Sequence, residues 1–236
     1  ASARVRCDVI AGYTNLSQPS GVGSEVPHLE FQIAYVEALS RIAAQVGAKI
    51  VRIFTAYDVT GQDSQTQWTR CVKTIREMCD RAVAQRVTIA IQNHHDIALH
   101  TDALLELLSD IDRPNCKLGF DAWSPALRGE DLYEAAKKAA PQTVLTTNAD
   151  YIRVPRHHYR PELVNYEPAS PDWVRAVPFG TGFIDYSAFF QGLRDGGFDG
   201  IAAYEICSPI RGGGEIENLD RCAKRYLNWI ETQPHS

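Results

Sequence analysis

Two acidic residues of this chain sit at the ends of apolar runs, where an acid is costly. Asp121 follows the run Lys117–Phe120, and Glu205 lies within Ile201–Ile206. Carboxylates gathered at one mouth of a protein repel, and desolvation adds to the cost unless a cation or a shared proton compensates. A divalent metal is the simplest compensation. Gln92, closing Val87–Gln92, and Asn148, just past Val144–Thr147, can add neutral carbonyl oxygens. An oxygen set of this kind suits Mg²⁺ or Mn²⁺ better than a thiolate-seeking zinc. After Gln92 come Asn93, His94 and His95. Adjacent side chains on an extended segment point to opposite sides, so one of the two histidines is expected in the pocket and the other in a loop. The constellation is therefore expected to hold a metal through Asp121, Glu205, Gln92 and Asn148, with His94 or His95 beside it.

These residues need strands to carry them. Short, nearly continuous apolar runs occur at Val5–Gly12, Lys49–Thr55, Val87–Gln92, Lys117–Phe120, Val144–Thr147 and Ile201–Ile206, as expected for buried parallel strands. Amphipathic helices alternate with them. Val26, Leu29, Ile33, Val36 and Ala43 mark one face of the first, and Trp68, Val72, Ile75, Cys79 and Ala82 mark the second. Leu104, Leu105, Leu108 and Ile111 mark a third, with further helices near Gly129–Ala139, Tyr186–Arg194 and Ile216–Ile230. Asp185 is the expected N-cap of the helix that follows it. Repeated βα units imply an α/β fold with a parallel sheet, either a closed barrel or an open doubly wound sheet. No glycine-rich dinucleotide fingerprint follows the first strand, and Gly21-Val22-Gly23 is a lone GxG in a polar loop. The polar residues at strand C-termini favour the barrel, which places its active site there.

Beyond the mouth, Trp123 and several cationic residues are the expected substrate contacts. The stretch Tyr151–Phe179 is rich in proline and tyrosine and carries Arg153 and His157. A loop of this length in a compact domain reads as a lid or an interface, placed here at about 153–180. Arg211 opens a glycine-rich turn, Arg211–Gly214, whose amides suit an anion or hydroxyl.

Composition sets the frame. The 236 residues are 44% hydrophobic and 22% charged, which suits one domain over 1–236. A net charge of −5 argues against a general nucleic-acid binder. Neither an eighteen-residue apolar run nor a secretory leader is evident, so a cytoplasmic protein with no membrane partner is expected. The six cysteines show no paired metal spacing and read as buried free thiols.

Read in order, these residues resemble the sugar phosphate isomerase/epimerase superfamily, the xylose isomerase-like (β/α) TIM barrels. Gly180-Thr181-Gly182-Phe183-Ile184-Asp185, then Gly197-Phe198-Asp199-Gly200 and Tyr204-Glu205, is similar to that family's G-x-G-x-[IV]-D, G-[YF]-[DE]-G and terminal metal glutamate. Gly119-Phe120-Asp121 is similar to its metal aspartate. The resemblance implies a divalent metal, a small carbohydrate substrate, and isomerase or epimerase chemistry through a metal-stabilised enediolate, with Glu205, His94 or His95 as the base. Gln92 replaces a family glutamate that acts as ligand and acid/base, Ser124 replaces a common histidine, and Thr147-Asn148-Ala149-Asp150 replaces a histidine-containing run. These departures keep a lyase or dehydratase, and a non-catalytic sugar-binding barrel or subunit of a larger complex, as alternatives. About six βα units are visible, as though the first two strands of the family barrel were lacking, and an exposed sheet edge points to a homo-oligomer.

Overall fold

The computed structural model describes residues 5–17, 27–207 and 210–233. The lone GxG at 21–23 and the helix marker Val26 lie outside the described residues. Strands β1 (Val9–Ala11), β2 (Ile50–Ile53), β3 (Thr88–Gln92), β4 (Cys116–Gly119) and β5 (Thr143–Asn148) form a parallel sheet. The ribbon strands β6 (Asp150–Arg160) and β7 (Asn165–Val177) come next, and β8 (Ile201–Tyr204) returns to the sheet. The order β1-β2-β3-β4-β5-β8 makes a six-stranded curled sheet, half of a barrel. Expected strand positions hold, with ends displaced by up to four residues: β1 is the most shortened, and β5 is longer by one residue at each end.

Helices α1 (His28–Val46), α2 (Ser64–Val83), α3 (Thr101–Ile111), α4 (Trp123–Arg128), α5 (Leu132–Ala139), α6 (Tyr186–Asp195) and α7 (Ile216–Glu231) supply the outer layer. The helix expected at Gly129–Ala139 is α5, and α4 precedes it as a separate short helix. Gly129, at φ 72°, ends α4, and Asp131 caps α5 by accepting from the Glu134 amide at 3.1 Å. Asp185 caps α6 as expected, accepting from the Ala188 amide at 2.9 Å. Gly192 lets α6 lie close on α5, because a Cβ there would stand 2.2 Å from the Tyr133 carbonyl oxygen.

Alternation along each strand separates two faces. Val51, Ile53, Ile89, Ile91, Leu118 and Phe120 are buried in the core with Val36, Ile75, Met78, Leu104 and Phe189 from the helices. Each such side chain contributes about 1.5–3 kcal/mol by leaving water. The intervening residues, among them Arg52, Phe54, Ala90, Gln92 and Gly119, line the concave face.

The segment 153–180, expected as a loop, is largely an antiparallel ribbon. β6 and β7 pair from Asp150–Val177 out to Arg160–Asn165, with a register shift between Val154 and Arg156. Most of its length is exposed, and part-buried Ile152, Val154 and Arg156 alternate with exposed Arg153, Pro155 and His157 only on the inner part of β6, a period interrupted by proline and arginine. Among the described residues, no helix is long and apolar enough to cross a membrane, and all six cysteines are free, four of them buried.

Candidate active site

β3 and β4 end side by side, and their last residues are locked together. Asn93 donates its Nδ2 to the Asp121 carbonyl at 3.0 Å and accepts the Asp121 amide on Oδ1 at 2.8 Å. Ser124 donates its hydroxyl to the Asn93 carbonyl at 2.7 Å. Ser124 is therefore a brace across the strand ends rather than a replacement ligand. The clamp fixes Asp121, whose Oδ1 accepts from the Trp123 and Ser124 amides at 3.1 and 3.3 Å, while Oδ2 accepts from Gln92 Nε2 at 2.7 Å.

Asp121 is almost wholly buried. Burial is the main reason its pKa rises to about 7; the Gln92 and backbone hydrogen bonds oppose the rise, and the charge of Glu205 adds to it. Gln92 Oε1 is buried with no hydrogen-bond partner. With one amide end bonded to Asp121, its other end is left as an unsatisfied acceptor.

A cavity of about 230 Å³ opens over this floor, lined by Gln92, Asp121, Thr147 and Glu205, with Tyr13, Phe54, Tyr57, His94, His95, Trp123, Ala149, Tyr151 and Cys207 around it. Both histidines line it, against the expectation of only one. His94 donates its amide back to the Gln92 carbonyl at 2.7 Å, and His95 sits at φ 69°, so the segment turns instead of running extended. The rings meet with Nδ1 atoms 2.9 Å apart, and His95 Nε2 lies 3.1 Å from the Thr14 carbonyl, a contact that needs a proton on Nε2. His95 stacks on Tyr57 with centroids 4.0 Å apart. Burial, then the neighbouring His95 and Arg52, push the His94 pKa down to about 4, and burial also lowers that of His95. Both rings are neutral at pH 7, as a base must be.

Trp123 closes one wall, its ring 5.8 Å from His94 and 5.1 Å from Tyr151. Tyr151 donates its hydroxyl to Cys207 Sγ at 3.0 Å, and burial raises the pKa of both groups, so both keep their protons.

Asn148 is a correction. Strand alternation turns it to the convex side, where its Nδ2 donates to the Ala203 carbonyl at 2.9 Å and to the Tyr226 hydroxyl at 3.1 Å. Its neighbour Thr147 faces the cavity instead, with a buried hydroxyl that has no partner. Three expected substrate contacts also lie outside the cavity lining. Arg153 stacks on Phe183 at 4.7 Å, His157 is exposed on the ribbon opposite Pro168, and Arg211 is exposed after β8. Tyr13, Phe54, Tyr57, Thr147, Tyr151 and Cys207 were not anticipated. The aromatic residues clustered at the end of β2, Phe54 and Tyr57, were the signal available in the sequence.

Among the described residues no group of three or more His, Cys, Asp or Glu could hold a metal. The carboxylate and amide oxygens that line the cavity belong to Asp121, Glu205 and Gln92, whose Oε1 is unpartnered. Two carboxylates and an amide oxygen fit a hard divalent ion that completes its shell with water or ligand oxygens.

The xylose isomerase-like TIM barrel family model matches residues 2–231. A 3-dehydroshikimate dehydratase of Bacillus anthracis is 24% identical over 172 residues, covering 70% of this chain and 59% of its own length. The chain thus spans less than two thirds of that relative. Among solved structures, the probable 3-DHS dehydratase AsbF of Bacillus anthracis superposes with a TM-score of 0.71 at 18% identity, over 97% of this chain and 77% of its own. The 3-keto-D-glucoside 4-epimerase YcjR of E. coli gives 0.71 at 14% identity, over 97% and 80%. A xylose isomerase-like TIM barrel protein of Mycobacterium smegmatis, in complex with magnesium, gives 0.65 at 18% identity, over 95% and 72%. At such identities the structures speak to the fold alone. The family match runs through nearly the whole chain and agrees with the curled parallel sheet and its polar mouth; this chain belongs to the xylose isomerase-like TIM barrel family.

Proposed function

We propose that the chain is an isomerase or epimerase that moves a proton at the carbon beside the carbonyl of a small polyhydroxylated ketone. The supporting observation is the cavity floor: Glu205 and the buried Asp121 share one small cavity with the unsatisfied Oε1 of Gln92. Asp121, Glu205 and Gln92 would hold a divalent ion of the Mg²⁺ or Mn²⁺ type. Such an ion, when bound, polarises the ketone oxygen and acidifies the neighbouring C–H.

The chain's own groups do the rest. Glu205 takes the proton from carbon, and the neutral His94 stands at the same cavity to receive or return it. The ion would satisfy the buried Gln92 Oε1, and the unpartnered hydroxyl of Thr147 is free to take a hydroxyl of the sugar chain. Trp123, Tyr57 and Phe54 offer apolar faces to the C–H side of a sugar ring or chain and exclude water. The exposed ribbon β6–β7 serves as a lid or as the contact of a homo-oligomer.

A second reading is elimination of a β-hydroxyl from the same enolate. Gln92 favours it, since an amide cannot act as the second acid/base that proton return on the opposite face uses. The 24% identity to a dehydratase points the same way. Metal analysis of the purified protein, with turnover on D-allulose and 3-dehydroshikimate for the wild type, Asp121→Ala and Glu205→Gln, tests both. Bound divalent metal is expected, with a loss of about a thousandfold or more in kcat/KM in either variant. Isomerised or epimerised ketose supports the first reading, and dehydrated product the second. Absence of metal and unchanged turnover in both variants rules out this site.

A further inference from the structure

One charged group near the site has no counterpart. Arg52, on the concave face of β2, is only 3% exposed. Its stem runs over β3 and β4, where small residues make room: a Cβ on Gly119 would sit 3.6 Å from Arg52 Cγ and 3.8 Å from the Ala90 Cβ. The guanidinium lies 4.2 Å from the centroid of the Phe54 ring and 5.1 Å from that of Tyr13. Among the described residues it pairs with no carboxylate. Its Nη1 donates one long bond to the Gly12 carbonyl at 3.3 Å, and its Nε is buried with no partner.

Other buried charges of the chain are satisfied. Asp150 accepts from the amides of Tyr151 and Gly182 at 2.9 and 2.7 Å, and the half-buried Lys117 donates to Gln142 Oε1 at 2.7 Å. A buried guanidinium whose Nε donor is idle is costly unless something completes it. Its five N–H groups are disposed to take a carboxylate by two parallel bonds. The rings that flank it, Tyr13 and Phe54, also line the cavity, and Tyr13 is largely exposed. Arg52 is not itself part of the cavity lining; it stands one layer deeper along β2 than Phe54, behind the rings of Tyr13 and Phe54 that line it.

We propose that Arg52 is a carboxylate subsite, so that the ligand of this cavity is an acidic polyhydroxylated ring or chain rather than a neutral sugar. The inference rests on the reading of the cavity as a substrate site and names the class of substrate. A carboxylate entering between Tyr13 and Phe54 accepts from Nε and a terminal nitrogen of Arg52, while the hydroxylated part of the ligand lies toward Gln92 and Glu205.

The test is calorimetric titration of the full chain with shikimate, its methyl ester and D-allulose. Shikimate has an alcohol in place of the ketone, and the ester removes the negative charge at the cost of one added methyl group. Wild type is expected to bind the acid roughly ten- to a hundredfold more tightly than the ester, the range for a charge-assisted hydrogen bond. Arg52→Met is expected to bind acid and ester alike. Its unbranched stem fills the same channel without a charge, so its ligand-free melting temperature should equal or exceed that of wild type. Arg52→Lys should recover part of the preference.

Equal binding of acid and ester by wild type overturns the subsite, as does a preference that survives in Arg52→Met. Binding of D-allulose alone also overturns it while leaving the proposed reaction standing. Conversely, an Arg52-dependent preference for the acid in a protein without turnover or metal keeps the subsite and removes the reaction.

Discussion

The two faces of one sheet obey different rules. On the convex side Val51, Ile53, Ile89, Ile91, Leu118 and Phe120 pack against helices with no polar atom to satisfy. On the concave side the same strands carry Arg52, Gln92, Asp121 and Thr147, and buried polar atoms remain without partners on Arg52, Gln92 and Thr147. The convex face stabilises the fold and can be indifferent to ligand. The concave face is held in an unsatisfied state by that stability, and its unpaired atoms are where a ligand gains most. Position 147 faces the cavity and position 148 the helices, so the boundary between the two regimes is a single residue wide on β5.

Substitutions can break this division. The largest expected effect is on the convex side: Ile89→Ala, away from the mouth, should cost about 2–5 kcal/mol of stability in denaturant unfolding. Turnover per folded molecule should stay near wild type, and a proportionate loss of kcat would show that the faces are not independent.

The concave side should reveal itself through pH. Asp121 has its pKa raised from 3.8 to about 7, chiefly by burial. The folded chain then keeps a proton that the unfolded chain has released. In the presence of a chelator, stability should therefore be greatest below about pH 4 and fall as pH rises to about 7, with no further loss from this group above that. The full effect is about 4 kcal/mol. Asp121→Asn should abolish this component of a melting-temperature series, and a slope unchanged in that variant would place its origin elsewhere.

The narrow boundary on β5 offers a sharper comparison. Asn148→Ala removes bonds to Ala203 and Tyr226 and should cost about 1–3 kcal/mol without altering KM. Thr147→Val should change KM several-fold and stability little. A reversal of these two patterns would exchange the faces assigned to them. The smallest effect is expected on the ribbon: Val164→Asp, at an exposed position near its turn, should shift stability by less than about 0.5 kcal/mol in a monomer. A larger loss, or a drop in mass by light scattering, would mark the ribbon as a subunit contact.

How legible each part was follows from the same division. The convex face announces itself, because continuous apolar runs and helical stripes are what a dry interface requires, and each expected strand and helix has a counterpart. Asp121 and Glu205 were legible for the complementary reason, as acids where apolar residues should be. Asn148 was misread because a strand end offers two adjacent polar residues and only the pleat tells which enters the cavity. The histidine pair was misread because the extended geometry assumed for it gives way to a left-handed turn at His95. The ribbon escaped because its alternation is short, carried by Ile152, Val154 and Arg156, and its outer half is exposed throughout. Arg52 was hidden inside an apolar run, its importance visible only once its partners could be counted.

The amide of Gln92 has a consequence for how such sites change through descent. Glutamine and glutamate codons differ at one base, so a single transversion would give position 92 a carboxylate. There it would face the Asp121 oxygen that Gln92 now donates to, converting a hydrogen bond into a repulsion that only a proton or cation can relieve. An ancestor or descendant bearing glutamate would fold in debt to its metal, whereas the present chain keeps its strand ends joined without one. Glutamine at this position thus joins the two strand ends with or without a cation, so folding here need not depend on binding an ion.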